Sequence, residues 1–180
     1  MALVTLFSAP KPFTDPHIAT IQRNAIKSWT LLPDVDVILL GEEEGLAEAA
    51  GELDVRHIPN VACSENGTPL ISSMFQLARE ASESGLLCII NADMLVMPDF
   101  VEAAQQVVAL KDEFVLLSQR WDLDITNPLF FSDGWSNRLR EDPVSQKRNT
   151  SDTAVKLDVF LKIEYQVLRQ KLSGFTQFVF

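Results

Sequence analysis

The sequence predicts an α/β domain, a mostly parallel sheet with helices on both faces. Short apolar, β-branched runs alternate with stretches whose apolar residues recur every three or four positions, in the order β-α-β-α-β-α-β-α-β. The run over 85–90 is apolar throughout, as a central strand covered on both sides should be. The composition, 180 residues with 47% apolar and 22% charged, is that of one globular domain with enough chain for a sizeable core.

Residues 2–7 form an apolar run closed by Ser8, Ala9 and Pro10, which reads as a buried strand opening into a loop. Thr14 or Asp15 then caps a helix with Pro16 in its first turn, and Ile18, Ile21, Ala25, Ile26 and Trp29 make its inward face. Pro33 ends that helix, and a second strand spans 35–40, stopped by Gly41 and the acidic triplet Glu42, Glu43 and Glu44. A short helix over 46–53, a third strand over 55–58 and a loop over 59–69, rich in Asn, Ser, Gly and Pro, follow. Helix returns at Leu70, with Ile71, Met74, Phe75 and Ala78 on one face. After the central strand come Asn91, Ala92 and Asp93, then a helix opened by Pro98 and Asp99 with Phe100, Val101, Ala104, Val107 and Val108 inward, then a fifth strand over 114–118. Beyond Gln119 the period is lost in a polar and aromatic loop region that includes Trp121, Asp122, Asp124 and Trp135, and loops of this length tend to carry function. From Ser151 to about Leu172 the spacing of Val155, Phe160, Ile163, Val167 and Leu168 predicts an extra C-terminal helix, terminated by Gly174.

With 15 basic against 25 acidic side chains the formal net charge is −10, which repels phosphate backbones and anionic lipid and argues against nucleic acid as a partner. Residues 1–146 hold 9 of the basic and 22 of the acidic groups, leaving 6 and 3 to 147–180. A compositional boundary therefore falls near 147, with a main domain over 1–146 and an atypical tail over 147–180. If the apolar face of the tail finds no groove on its own chain, it would drive self-association. No apolar run approaches the roughly 20 residues of a membrane span. The N-terminal apolar stretch has no basic residue ahead of it, so a cytoplasmic location is expected. Cys63 and Cys88 have no CxxC spacing, and Cys88, inside an apolar run, reads as a small buried hydrophobe.

Ligands of an open α/β sheet bind beyond the carboxyl ends of the strands, so candidate groups are sought there. No GxGxxG follows the first strand and no GxxxxGK[ST] occurs anywhere, so a phosphate ligand needs another way to have its charge neutralised. Asn91 and Asp93, at i and i+2 after a strand, can direct two oxygens at one hard divalent cation, which would in turn bind a diphosphate. The alternative is that Asp93 only caps the turn. Lys11 and Arg23 are either phosphate contacts or solvated surface groups. Trp121, beside Asp122 and Asp124, is a candidate to stack on a sugar, while His17 and His57 read as structural.

The stretches FSAPKPF (7–13), QRNAIKSW (22–29), LLGEEEG (39–45), NGTPLISSMF (66–75), IINADMLVMPDF (89–100) and QRWDLDI (119–125) resemble the glycosyltransferases of the GT-A type, in particular a family 2-like group with short bacterial and plant members. The resemblance extends from Leu3 to about Asp124. It implies a Rossmann-like GT-A sheet that binds a nucleotide-sugar donor, with an acidic motif after the central strand, usually DxD, holding Mn²⁺ or Mg²⁺ against the diphosphate. Asn91, Ala92 and Asp93 stand at that position, with Asn91 in place of the first carboxylate. It also implies that Ser8, Pro10, Lys11, Glu42, Asn66 and Thr68 surround the nucleotide. An inverting transfer would need a carboxylate after the fifth strand to take the proton of the acceptor hydroxyl, for which Asp122 and Asp124 are available. The resemblance fades near Asp142, so the acceptor is undefined. Two other classes compete. A nucleotidyltransferase should show a Gly-rich basic loop after its first strand, which APKPF is not; a non-catalytic nucleotide-sugar-binding or interaction protein derived from a truncated transferase fits Asn91 and the basic tail.

Overall fold

Four parallel strands form the first half of the sheet: β1 (Val4–Ser8), β2 (Val35–Leu40), β3 (Arg56–Ile58) and β4 (Leu86–Ile89), in the order β3-β2-β1-β4. They alternate with α1 (Pro16–Thr30), α2 (Leu46–Leu53) and α3 (Ile71–Ala81), in the predicted order. A computed structural model describes residues 1–110, 115–123, 125–141, 159–167 and 177–179. Because successive side chains of a strand point to opposite faces, each apolar run supplies two cores. Val4, Leu6, Val37, Leu39, Leu86 and Cys88 pack with α1 and α2 through Ala25, Ile26, Trp29, Leu46 and Ala50. Phe7, Ile38, Leu40 and Leu87 pack with Met74 and Ala78 of α3. The division follows from handedness. The chain steps from β1 to β2 to β3 in one direction and returns past β1 to β4 in the other, and right-handed crossovers in opposite directions cover opposite faces.

Helix α1 is the buried helix of the first layer, and its start and its polar residues both have identifiable causes. Asp15, not Thr14, is the cap: its Oδ1 accepts from the N–H groups of His17 and Ile18 at 2.8 and 2.9 Å, satisfying two donors that a helix start leaves open. Trp29 is fully buried, as its inward position predicts, and its Nε1–H donates to the Met94 carbonyl at 2.7 Å. Ser28 Oγ, also buried, accepts from the Val96 N–H at 3.0 Å and donates to the Ala25 carbonyl at 2.6 Å. Two adjacent side chains thus hold both sides of the short strand β5 (Met94–Leu95) against the helix. On the other face, Thr5 Oγ1 lies 2.5 Å from Ser82 Oγ and 2.7 Å from Ser84 Oγ, so the one polar residue inside β1 before Ser8 is satisfied by the link between α3 and β4.

Beyond β5, which the sequence reading did not anticipate, the structure departs from the sequence expectation in four places. The helix expected after Pro98 is α4 (Asp99–Leu110), but Val108 is exposed rather than inward. The fifth long strand is β6 (Val115–Asp122), which extends through residues assigned to loop from sequence, among them Arg120, Trp121 and Asp122; Phe114 lies outside the described residues. The polar and aromatic stretch after it contains α5 (Trp135–Glu141), whose Trp135 and Leu139 join Leu129 and Phe131 over Leu95, Met97 and Leu123. The fourth difference corrects the C-terminal helix, because residues 159–167 are strand β7 (Val159–Val167).

That strand has a physical reason. Leu161, Ile163, Tyr165 and Val167 alternate with Lys162, Glu164 and Gln166, a period of two rich in β-branched and aromatic residues. The helical spacing of Phe160, Ile163 and Val167 occupies the same residues. What decides between them is β6, which pairs antiparallel with β7 from Leu116↔Val167 to Asp122↔Val159. The amphipathic face proposed for self-association goes with the helix; residues 151–158 and 168–172 lie outside the described residues. Strand β8 (Gln177–Val179) fits between β4 and β6, parallel to both, so strands from beyond residue 147 share the sheet with those before it.

The clamp on β5 yields a test. Ser28→Ala strands the Val96 N–H and Trp29→Phe strands the Met94 carbonyl, and each should lower unfolding free energy by about 1–3 kcal/mol, the cost of a buried polar group without its partner. Urea unfolding of the single variants measures this, and the Trp29→Phe loss should include some lost packing as well.

Candidate functional site

The carboxyl ends of β1, β2 and β3 surround a cleft of about 550 Å³. Ala9 and Pro10 come from the end of β1, Leu40 to Glu43 from β2, and residues 59–63 with Pro69 from the loop after β3. Beside it, β4 ends at the same edge: Phe7 is level with Ile89, and Ile90 N–H donates to the Phe7 carbonyl at 3.1 Å. The Asn91–Asp93 turn therefore emerges next to the loop that carries Pro10.

Each loop of the cleft is shaped by a specific contact. Phe13 N–H donates to the Glu44 carbonyl at 2.8 Å, tying the loop after β1 to the loop after β2. This approach depends on Gly45, which has φ +80° and whose Cα comes so close that an added Cβ would lie 2.9 Å from Phe13 Cβ. His57 Nε2 bonds the Gly41 carbonyl at 2.8 Å, while Gly41 N–H donates to the Ile58 carbonyl at 3.0 Å, so His57 has the structural role read from sequence. The long loop closes on itself through the Cys63↔Pro69 bridge and the Ser64 N–H to Thr68 carbonyl bond at 2.8 Å, and Ala62 N–H ties it to Ser73 Oγ of α3 at 3.0 Å.

The residues singled out from sequence are distributed unevenly around this cleft. Pro10 and Glu42 line it; Ser8 is buried at the end of β1 beneath it. Lys11 is exposed, one residue beyond Pro10. Asn66 and Thr68 occupy the exposed tip of the folded loop, whose stem residues Ala62, Cys63 and Pro69 line the cleft instead. Asn91 is exposed and Asp93 half-buried, and Met94 N–H closes their turn on the Asn91 carbonyl at 3.1 Å. Asp122 is the last residue of β6, and Asp124 lies outside the described residues. Gln177 pairs with both Leu87 and Val115, so β6 passes the level of Ile89 at Leu117 and runs on to Asp122, about 16 Å further at the rise of a strand. The carboxyl end of β6 thus stands well beyond the cleft floor.

Arg23 is engaged elsewhere. Its Nε donates to Glu52 Oε2 at 2.8 Å and its guanidinium sits 5.2 Å from the Phe13 ring centroid, a surface network. Cys88 is buried, and burial pushes its thiol well above the ordinary range, in keeping with a small hydrophobe; Cys63 is exposed on the cleft wall. Sequence reasoning named neither Asn60 nor Val61 individually as a cleft residue, and it gave no role to Gln22, whose buried side chain bonds the Lys11 backbone; in an amphipathic helix a buried Gln carries no signal until its partner is placed. Among the described residues no three His, Cys, Asp or Glu side chains group to hold a metal ion, and none of the helices is long and apolar enough to cross a membrane. No family model, no curated protein and no solved structure matches the chain.

Two measurements check this geometry. Gly45→Ala forces a left-handed residue to carry a side chain against Phe13 and should cost at least about 1–2 kcal/mol of stability in thermal or urea unfolding. The Arg23 guanidinium, by hydrogen bond and charge, holds the Glu52 carboxyl below its usual value. A carboxyl lowered in the folded state stabilises above its unfolded pKa and ceases to do so as pH falls through the lowered one. The gap in midpoint between the wild type and Glu52→Gln should therefore be present near neutrality, small because the pair is exposed, and should close in acid.

Proposed function

We propose that this chain is a sugar transferase with a Rossmann-like sheet of the GT-A type, which takes its nucleoside diphosphate sugar in the cleft at the carboxyl ends of β1–β3. The observation that carries the reading is the meeting, at one edge of a parallel sheet, of that cleft with the Asn91–Asp93 turn. The sequence resemblance to GT-A enzymes points to the same edge. Charge supports a cation as part of the ligand: Glu42 and Glu43 line the cleft of a chain with net charge −10, a field that opposes an unaccompanied diphosphate.

The donor set fits a Mn²⁺ or Mg²⁺ ion that arrives with the diphosphate. Such ions are commonly held through one or two carboxylates, with substrate phosphates and water completing the shell, and the turn offers the Asp93 carboxylate and the Asn91 amide oxygen. When bound, the ion would offset charge developing on the leaving diphosphate. Pro10 and Asn60 would bound the nucleotide, Glu42 would face its polar edge, and exposed Lys11 would stand near the phosphates. Asp122, the last residue of β6, or Asp124 would take the acceptor proton. A second reading, donor binding without transfer, is favoured by Asn91 at the position of a carboxylate.

Calorimetric titration with UDP-, GDP- and dTDP-sugars, with and without Mn²⁺, tests the proposal: one nucleotide class should bind, and only with the metal. Asp93→Ala should weaken metal-dependent binding by about tenfold or more, whereas equal affinity with Mn²⁺ present would remove the metal assignment. Asn91→Asp should tighten it modestly by adding an anionic oxygen. Release or transfer of the sugar on prolonged incubation separates the transferase from the binding protein.

A further inference from the structure

The loop after β1 is held from beneath by a residue that does not reach the cleft surface. Gln22 of α1 is 3% exposed, and its side-chain amide bonds both backbone groups of one residue: Lys11 N–H donates to Oε1 at 2.7 Å, and Nε2 donates to the Lys11 carbonyl at 2.9 Å. Lys11 lies between Pro10 and Pro12, neither of which has an N–H. Of these three residues, Lys11 alone can be fastened through a donor. The residue before a proline is restricted to extended backbone, so the run is stiff as well as pinned at one point. Its first residue, Pro10, forms a wall of the cleft.

We infer that Gln22 is a positioning residue for this cleft: by fixing the Lys11 peptide it sets where Pro10 stands and so controls ligand affinity without touching the ligand. The inference rests on the reading of the cleft as a nucleotide site. The same helix supplies an internal comparison. Asn24, 6% exposed, makes the equivalent pair of bonds to a different segment, donating from Nδ2 to the Asn127 carbonyl at 3.0 Å and accepting from Leu129 N–H at 2.8 Å. Loss of either amide leaves two backbone groups without these bonds, but only Gln22 fastens a residue next to one that lines the cleft.

The test compares Gln22→Leu, Gln22→Glu and Asn24→Leu in the full chain by thermal unfolding, amide hydrogen exchange and titration with UDP plus Mn²⁺. Both leucine variants should unfold at lower temperature. Gln22→Leu should speed exchange at Lys11 and weaken UDP binding by about tenfold, while Asn24→Leu speeds exchange at Leu129 and leaves affinity within about twofold of wild type. Gln22→Glu keeps an acceptor for Lys11 N–H and, once protonated, a donor for the Lys11 carbonyl, so at a pH of about 5 it should recover most of the affinity relative to wild type. Faster exchange at Lys11 with unchanged UDP affinity overturns the inference, as does a Gln22→Glu variant no better than Gln22→Leu at that pH. Wild-type protein that binds no nucleotide with Mn²⁺ overturns the nucleotide reading instead, and the inference with it; Lys11 exchange, measured without ligand, shows that the clamp itself is intact.

Discussion

Helix α1 carries Gln22, Asn24, Ser28 and Trp29 into the interior, and three separate backbone segments are fastened by the bonds they make. A buried polar side chain is tolerated only when its hydrogen bonds are made, so each of these residues commits a particular peptide to a particular place. Gln22 holds the loop after β1, Asn24 the segment at 127–129, and Ser28 with Trp29 the strand β5. Three stretches distant in sequence are thereby referred to a single rigid element. The apolar face of the helix secures it to the sheet, and the polar residues on its flanks convert that anchorage into loop geometry.

The sheet explains why those loops meet at all. Parallel strands connected by crossovers deliver all their carboxyl ends to one edge, and the reversal of direction at β1 leaves β2 and β3 on one side and β4 on the other. Backbone at that edge has no further strand partners, so its groups are satisfied by loop bonds such as Phe13 to Glu44 and Gly41 to Ile58. Tight loop packing then demands glycine where two chains approach, as at Gly45 beside Phe13. The cleft is the space those constraints leave.

Electrostatics gives the edge its chemical character. Arg23, a cation close by, is occupied by Glu52 and Phe13, and the rim itself carries Glu42 and Glu43. A phosphate ligand would therefore depend on charge it brings with it, held by Asp93, and on Lys11. In a glycine-rich loop backbone N–H groups receive a phosphate directly; here prolines at 10 and 12 remove two such donors.

The elements through α4, apart from the two-residue strand β5, were legible in the sequence because each is specified locally: apolar runs of strand length, helical periods bounded by Asp15, Pro33 and Pro98, and turn residues between them. Trp29 in the core followed from the same patterns. Three things required the tertiary structure. Residues 159–167 satisfy a helical spacing and a strand alternation together, and only the backbone donors and acceptors offered by β6 select the strand. The length of β6 likewise depends on the partner that extends its ladder through Asp122. Gln22 and Asn24 look like ordinary polar residues on an amphipathic helix, because hydrophobic period records which way a side chain faces and carries nothing about which distant peptide will bond it. Those bonds exist only once Lys11 and Leu129 have been brought to the helix, so the shape of the cleft wall was decided by folding and the position of the edge by sequence.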